Sequence, residues 1–537
     1  MNPNEPATPP SETGQDKTRK EPQATSCQVP SYWLTRFVIL RLLGFVYLIA
    51  FLAAARQIVP LVGEHGLLPA RLFMDRLETH FGSSLIGFFQ LPSIFWIHLT
   101  DSFLVAVAWL GVGLSFIVLL GYANAVLMAV LWVLYMSFIH IGQDWYSYGW
   151  EIQLLETGFL AIFLCPLLDP RPFPKHPPPK VVIWLFRWLI FRIMIGAGLI
   201  KMRGDPCWRD LTCLYYHYET QPIPNPLSWW LHFRPHWFQK LGALWNHFVE
   251  LIVPWFAFWP RPARHIAGAL LVSFQITLIL SGNLSFLNWL TIVPALACFD
   301  DSLLRHLGPR WFLKHIPLEA PLPVPCGFPD VASVRALPRR ELAAWALAVL
   351  IAVLSIAPVA NMLSPQQIMN TSFNRLHLVN TYGAFGSVGR IRYEIVFEGT
   401  EDAALSAQTR WQEYEFKAKP GNPRRRPALV APYQPRIDWQ IWFAAMSTPD
   451  QYPWTLHFIW KLLHNDSGTL SLLANNPFPG KAPLFVRAQY YQYQFAPPGD
   501  PGGSWWNRTL VGDWLPPLGA NDPRLIRLMQ GYGWPME

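Results

Sequence analysis

Repeated blocks of apolar residues decide most of what this chain can fold into. Such runs occupy residues 37–55, 103–120, 123–141, 150–168, 181–200, 245–259, 266–280, 284–299 and 342–358. A helix of about 20 apolar residues crosses the hydrocarbon core and satisfies its own backbone where no water can. Several runs fall short of that length, so the expectation is a polytopic α-helical bundle of about 7–9 spans over residues 31–358. Two neighbouring short runs that enter as a pair leave the ends of the chain on the same sides. With 52% hydrophobic and 14% charged residues, the composition points away from a large soluble enzyme. The 27 Trp and 18 Tyr suit a protein with many membrane–water boundaries.

Charge between the runs orients them. Lys17, Arg19, Lys20, Arg36 and Arg41 precede or open the first run, which predicts a cytoplasmic N-terminus. Alternation then places Arg171, Lys175 and Lys180, then Arg261 and Arg264, then Arg305, Lys314, Arg339 and Arg340 on the same side. These loops account for the +8 net charge; the basic residues form no continuous face, so no nucleic-acid partner is expected. Residues 1–30 are polar and aperiodic, read as a disordered cytoplasmic tail without a signal peptide. Residues 56–100 mix charges with apolar positions, as a helix lying on the membrane does. The loop 201–244 and residues 359–537 fall on the outer side.

After residue 358 the pattern changes period. Ile391, Tyr393, Ile395 and Phe397 alternate with polar residues, and 413–419 and 491–495 alternate too. These read as half-buried antiparallel strands. Residues 439–446 and 454–463 carry helical spacing. The expectation is a soluble β-rich, sandwich-like domain with inserted helices. Trp439, Trp442 and Trp454 are candidates for a contact surface or for its core.

Candidate site residues fall into two groups. The loop after the fifth run holds Asp205, Arg209, Asp210, His217 and Glu219. His and Glu are acid–base residues if they meet each other or a substrate; loop charges otherwise form structural ion pairs. Within the apolar runs lie Glu151, Glu156, Arg187, Arg192 and Lys201. An ionisable group costs about 2.5–3.5 kcal/mol at a helix centre on insertion scales, so these should face inward and pair. Glu250 is a further case. Of the six cysteines, Cys207 and Cys213 alone fall outside, either as a disulfide or as two buried thiols. Asn370, Asn465 and Asn507 head sequons in the outer region, which would make this a glycoprotein. There is no HExxH, CxxC, GxSxG, P-loop or GxGxxG, so no metal and no cofactor is expected.

Several long, irregular strings carry a resemblance: WYSYGWEIQLLETGFLAIFLCP (145–166), FRWLIFRIMIGAGLIKMRGDPCWRDLTCLYYHYETQPIPNP (186–226) and SGNLSFLNWLT (281–291). MNTSFNRLHLVNTYGAFG (369–386), WQEYEFKAKPGNPRRRP (411–427), PRIDWQIWFAA (435–445) and LLANNPFPG (472–480) continue it. Through them the chain resembles the lipase maturation factor family over essentially residues 31–537. The resemblance implies a multi-pass protein of the endoplasmic reticulum membrane, or of the inner membrane in a bacterial host. Its implied role is the folding, dimer assembly and export of secreted lipases such as lipoprotein, hepatic and endothelial lipase. ER chaperones or redox proteins and membrane lipid are further expected partners; the sequence carries no catalytic motif, so the chain is not expected to be an enzyme. A distant likeness of the family's membrane part to vitamin K-dependent carboxylase implies the alternative, a membrane-embedded enzyme acting on lipid or protein.

Overall fold

The computed structural model describes residues 31–308, 314 and 338–536. The expected tail with Lys17, Arg19 and Lys20 lies outside the described residues, as does Cys326. Helix α1 (Trp33–Val62) precedes α2 (Ala70–Phe81) and α3 (Ser84–Gln90), then α4 (Asp101–Leu120), α5 (Ala125–Ile141), α6 (Gly149–Leu164) and α7 (Lys180–Arg203). Helices α8 (Pro206–Arg209), α9 (Leu214–Thr220) and α10 (Pro226–His232) fold the loop. Helix α11 (His236–His247) continues through a π-helical turn, Phe248–Ile252, and a 3-10 turn, Val253–Phe258. Helices α12 (Arg261–Ser281), α13 (Leu287–Ala295) and α14 (Asp301–Leu307) follow, and Arg339–Leu363 closes the bundle.

Among the described residues, six helices are long and apolar enough to cross a membrane. A seventh is present if the bent pair Leu287–Cys298 and Asp301–Leu307 is one span. That is a little lower than the expected count, and α5 and α6 are the reason. They have 17 and 16 residues, about 25 Å each at 1.5 Å per residue, short of the roughly 30 Å core. Helix α6 is buried along nearly its whole length, so protein rather than lipid surrounds its polar residues. The span after the loop begins at His236, so the loop is shorter than expected.

Local chemistry sets the helix ends. The Thr100 hydroxyl accepts from Phe103 N and the Asn124 side chain from Leu127 N, each taking up an unpaired N-terminal donor. The polyproline stretch before Lys180 cannot continue a helix, and Lys201 and Arg203 lie in the last turn of α7, where the dipole favours cations. Small residues let α1 and α4 touch: a side chain at Gly44 would stand 2.8 Å from the Leu119 nitrogen, and one at Gly111 would enter the Phe51 ring. Leu85, Ile86 and Phe89 of α3 are exposed, as the expected membrane-surface helix requires.

The C-terminal region carries four antiparallel strands, β1 (Arg392–Thr400), β2 (Gln412–Glu413), β3 (Phe485–Phe495) and β4 (Trp506–Gly519), in the order β2-β1-β3-β4. They make one sheet rather than two facing ones, and helices take the second layer. Arg436–Ala444 and Trp454–Leu463 supply it, the second helix with the expected bounds. Phe458 meets Phe397 of β1 at 4.9 Å between ring centres. Two expectations need correction. The expected strand 413–419 stops after Glu413, because the Asp438 carboxylate accepts the backbone N–H groups of Ala418 and Lys419 at 2.6 and 2.9 Å. Strand β1 is not half-exposed: Arg392 and Glu394 are fully buried on its polar face, and Lys419 closes on Glu394 at 2.9 Å. The Arg392 guanidinium donates to the carbonyls of Glu219 and Pro222, so the α9–α10 loop covers that face. Trp454 and Trp439 are buried and the half-buried Trp442 donates to the Thr220 carbonyl, so these rings serve the core.

Candidate functional site

The buried charges of the bundle are all paired or hydrogen-bonded, and the partners come from far along the chain. Glu151 accepts from Arg436 at 2.8 Å, from Trp150 Nε1 at 3.1 Å and from the Tyr135 hydroxyl. Glu156 pairs with Arg192 and also takes the Tyr382 hydroxyl at 2.6 Å and the Asn380 backbone N–H at 3.0 Å. Arg192 donates back to the Asn380 carbonyl at 2.8 Å. Residues 380–382 are thereby threaded into the bundle end. Lys201 bonds Glu250 at 2.6 Å and Asn246 at 2.9 Å, across to the π-helical turn. Arg187, a suggested counter-ion, meets no carboxylate; it donates to the Ala297 carbonyl and the Tyr32 hydroxyl. Arg436, Asn380 and Tyr382 escaped sequence reasoning because nothing local marks them as partners of α6.

The loop residues separate in the same way. Asp205 caps α8 through Cys207 N and binds Arg390 at 2.8 Å, which holds its carboxyl below the usual range. Cys207 and Cys213 are joined as a disulfide, with Cα atoms 4.8 Å apart. The Asp205 carboxylate lies within 4.8 Å of both sulfurs, a donor set available to a metal only after reduction. Arg209 and Asp210 are exposed. His217 and Glu219, two apart on α9, point to different surroundings. Glu219 is buried, accepts from Phe495 N at 2.7 Å and has its carboxyl raised by burial. His217 packs edge-on to Phe385, and burial, with Lys201 adding to it, lowers its imidazole to about 4. It is a neutral ring at physiological pH, and its nitrogens bond no protein atom among the described residues.

That ring faces a cavity of about 380 Å³ between the bundle end and the C-terminal region. Trp150 of α6, Met194 and Ala197 of α7, Phe274 of α12 and Leu287 of α13 form the floor; Trp439 and Phe443 lie above. The volume is that of a small-molecule site. Its polar lining includes three uncharged amides inside apolar runs, Gln153, Gln275 and Asn288, beside Gln221, Asn370, His217, Glu250 and several hydroxyls. Gln153 interrupts its apolar run visibly in the sequence, whereas Gln275 and Asn288 carry no charge and stand out little in the hydropathy pattern.

Comparison with known proteins covers both halves. The family described as lipase maturation factor transmembrane domain matches residues 34–306, and the lipase maturation factor C-terminal domain matches residues 378–516. Lipase maturation factor 1 of Bos taurus is 52% identical over 509 residues, 92% of this chain and 90% of that protein. The Homo sapiens protein of that name is 49% identical over 525 residues, 94% and 91% of the two chains. Lipase maturation factor 2 of Xenopus laevis is 31% identical over 607 residues, 93% and 84%. No solved structure matches.

Proposed function

Since this chain belongs to the lipase maturation factor family, we propose that it is a maturation factor that brings newly made secreted lipases to their assembled, active form. The observation that carries this is similarity to proteins named lipase maturation factor 1 along nine-tenths of both chains. Dimeric lipases such as lipoprotein, hepatic and endothelial lipase are the proposed clients, with ER chaperones or redox proteins as helpers. The proposed action is binding rather than chemistry: Glu151 and Glu156 are already saturated by protein donors, and His217 and Glu219 do not meet.

The proposed setting is the endoplasmic reticulum, with the N-terminus cytoplasmic and residues 359–537 lumenal. Counting the bent pair Leu287–Cys298 and Asp301–Leu307 as one span gives seven, the odd number that this sidedness requires. The Cys207–Cys213 disulfide lies in the loop on the C-terminal region's side, as an oxidising lumen favours, while Cys165 and Cys298 stay reduced at opposite helix ends. The proposed client surface is the free edge of β4, where Leu510 and Val511 are 53% and 55% exposed and backbone groups stand open to an added strand.

The test is rescue of secreted lipoprotein lipase activity in cells lacking their own maturation factor. The full chain restores activity, and Leu510→Glu/Val511→Glu, folded normally, loses both lipase capture and rescue. A chain that folds and inserts yet leaves lipase inactive refutes the function. Full rescue by the double variant refutes the edge alone.

A further inference from the structure

The cavity presents hydrogen-bonding groups that the protein does not use. Asn288, on α13, is 3% exposed, lines the cavity, and its side-chain amide bonds nothing among the described residues. Gln275, on α12 and also 3% exposed, has one weak contact, Nε2 to Met194 Sδ at 3.7 Å. Gln153 donates to Thr291 at 3.0 Å, which leaves its carbonyl oxygen available. Leaving buried amides without partners costs roughly 1–3 kcal/mol each, so such groups mark a place where something else supplies the bonds.

The charge of the lining narrows the ligand. Glu250 is the carboxylate at the cavity, and Lys201 and Asn246 hold both of its oxygens. His217 adds an imidazole with a free donor and a free acceptor. No unpaired charge faces the space among the described residues, so an anion or cation would enter without a counter-ion. The remaining wall is mostly aromatic and aliphatic, with neutral polar groups such as Gln221, Asn370, Thr220 and Thr291 among it. The bilayer is one helix away: Ile276 and Leu280 of α12 are exposed outward, while Phe274, Gln275 and Leu278 of the same helix face the cavity. At about 30 Å³ per water, the space equals roughly a dozen waters, and its largely apolar wall suits an apolar chain better than a full water cluster.

We propose that this cavity is a binding site for an uncharged membrane-derived amphiphile, its apolar chain against Trp150, Phe274 and Trp439 and its hydroxyl or carbonyl end on Asn288, Gln275 and His217. This stands independently of the lipase reading, because it rests on the unfilled amides and the neutral lining.

The full-length protein in membranes is photolabelled with a diazirine- and alkyne-bearing monoacylglycerol and, separately, with the corresponding fatty acid, and labelled peptides are mapped. The monoacylglycerol probe is expected to label the peptides flanking Gln275 and Asn288, and excess unlabelled monoolein to remove the label. The carboxylate probe is expected to label them weakly. Asn288→Leu and Gln275→Leu, checked for normal elution and melting, are each expected to lower labelling about five- to tenfold, the loss of one or two hydrogen bonds. Labelling spread over the outward faces of α4 and α12, or equal for both probes, overturns the proposal. So does labelling unchanged in folded Asn288→Leu. Should both variants misfold, the wild-type map and probe preference decide it.

Discussion

The Arg436–Glu151 pair joins the two halves of the molecule and gives the sharpest test of how they are held together. Both side chains are fully buried. Arg436→Met removes the guanidinium and leaves Glu151 with the Tyr135 hydroxyl and the Trp150 indole in a site sealed from water. Stranding one member of a buried pair costs about 3–5 kcal/mol, whereas removing both charges is often near neutral. Glu151→Gln strands less, since Arg436 keeps the Trp145 carbonyl and the Tyr146 ring face, 3.6 Å from its carbon; about 2–3 kcal/mol is expected. The double variant should fall within about 1–2 kcal/mol of wild type, a coupling of several kcal/mol. The assay is the thermal midpoint of the detergent-solubilised full chain for wild type, both singles and the double, with lipase rescue measured in parallel. Strict additivity, with the double as unstable as the two losses summed, would refute the reasoning.

Three further expectations follow from the geometry. His457 is fully buried, donates through Nδ1–H to the Leu67 carbonyl at 2.9 Å, and burial lowers it from 6.5 to about 4. The unfolded chain therefore binds the proton first, so stability is lost as pH falls from 6.5 towards 4, about 2 kcal/mol between pH 7 and 5. His457→Asn should flatten that slope in melting curves, and an unchanged slope would count against the assignment. Among the sequons, Asn507 and Asn370 are exposed, but Asn370 Oδ1 lies against Gly149 and accepts from Gly383 N at 3.3 Å, and Asn465 Nδ2 already donates to the Phe478 carbonyl at 2.9 Å. Asn507→Gln should remove the main glycan shift on gels; a shift lost instead with Asn465→Gln would contradict it. Replacing Cys207 and Cys213 by Ser frees a loop closed across six residues, worth about 2 kcal/mol by loop entropy. Thiol labelling of the non-reduced wild type should spare both positions, and labelling of either would be decisive against the bond.

What the chain discloses by itself is what depends on neighbours in sequence. Long apolar runs, the 454–463 helix and the proximity of Cys207 to Cys213 all follow from spacing over a few turns. What stayed hidden depends on distant partners. Alternation in β1 implied a wet face, yet that face is covered by the loop after α9, more than 170 residues earlier. Glu151 and Glu156 were legible as costly groups needing partners, and Arg192 was a candidate because it lies on the next helix. Arg436 was not, at 285 positions away. The unfilled amides of the cavity carry no charge, so they register weakly in any hydropathy scan.

That separation of 285 residues has a consequence in time. A ribosome adding 5–20 residues per second takes about 15–60 s to deliver Arg436 after Glu151 has entered the bundle. Until then the α6 carboxylate has no cation, and the Glu156 oxygens await Asn380 and Tyr382. The newly inserted helices are thus an unfinished object, held open to inspection by their own unsatisfied charges. A chain stopped before Arg436 keeps that defect permanently. Truncation of the C-terminal region consequently removes more than a client surface: it withdraws the residue that completes the membrane half.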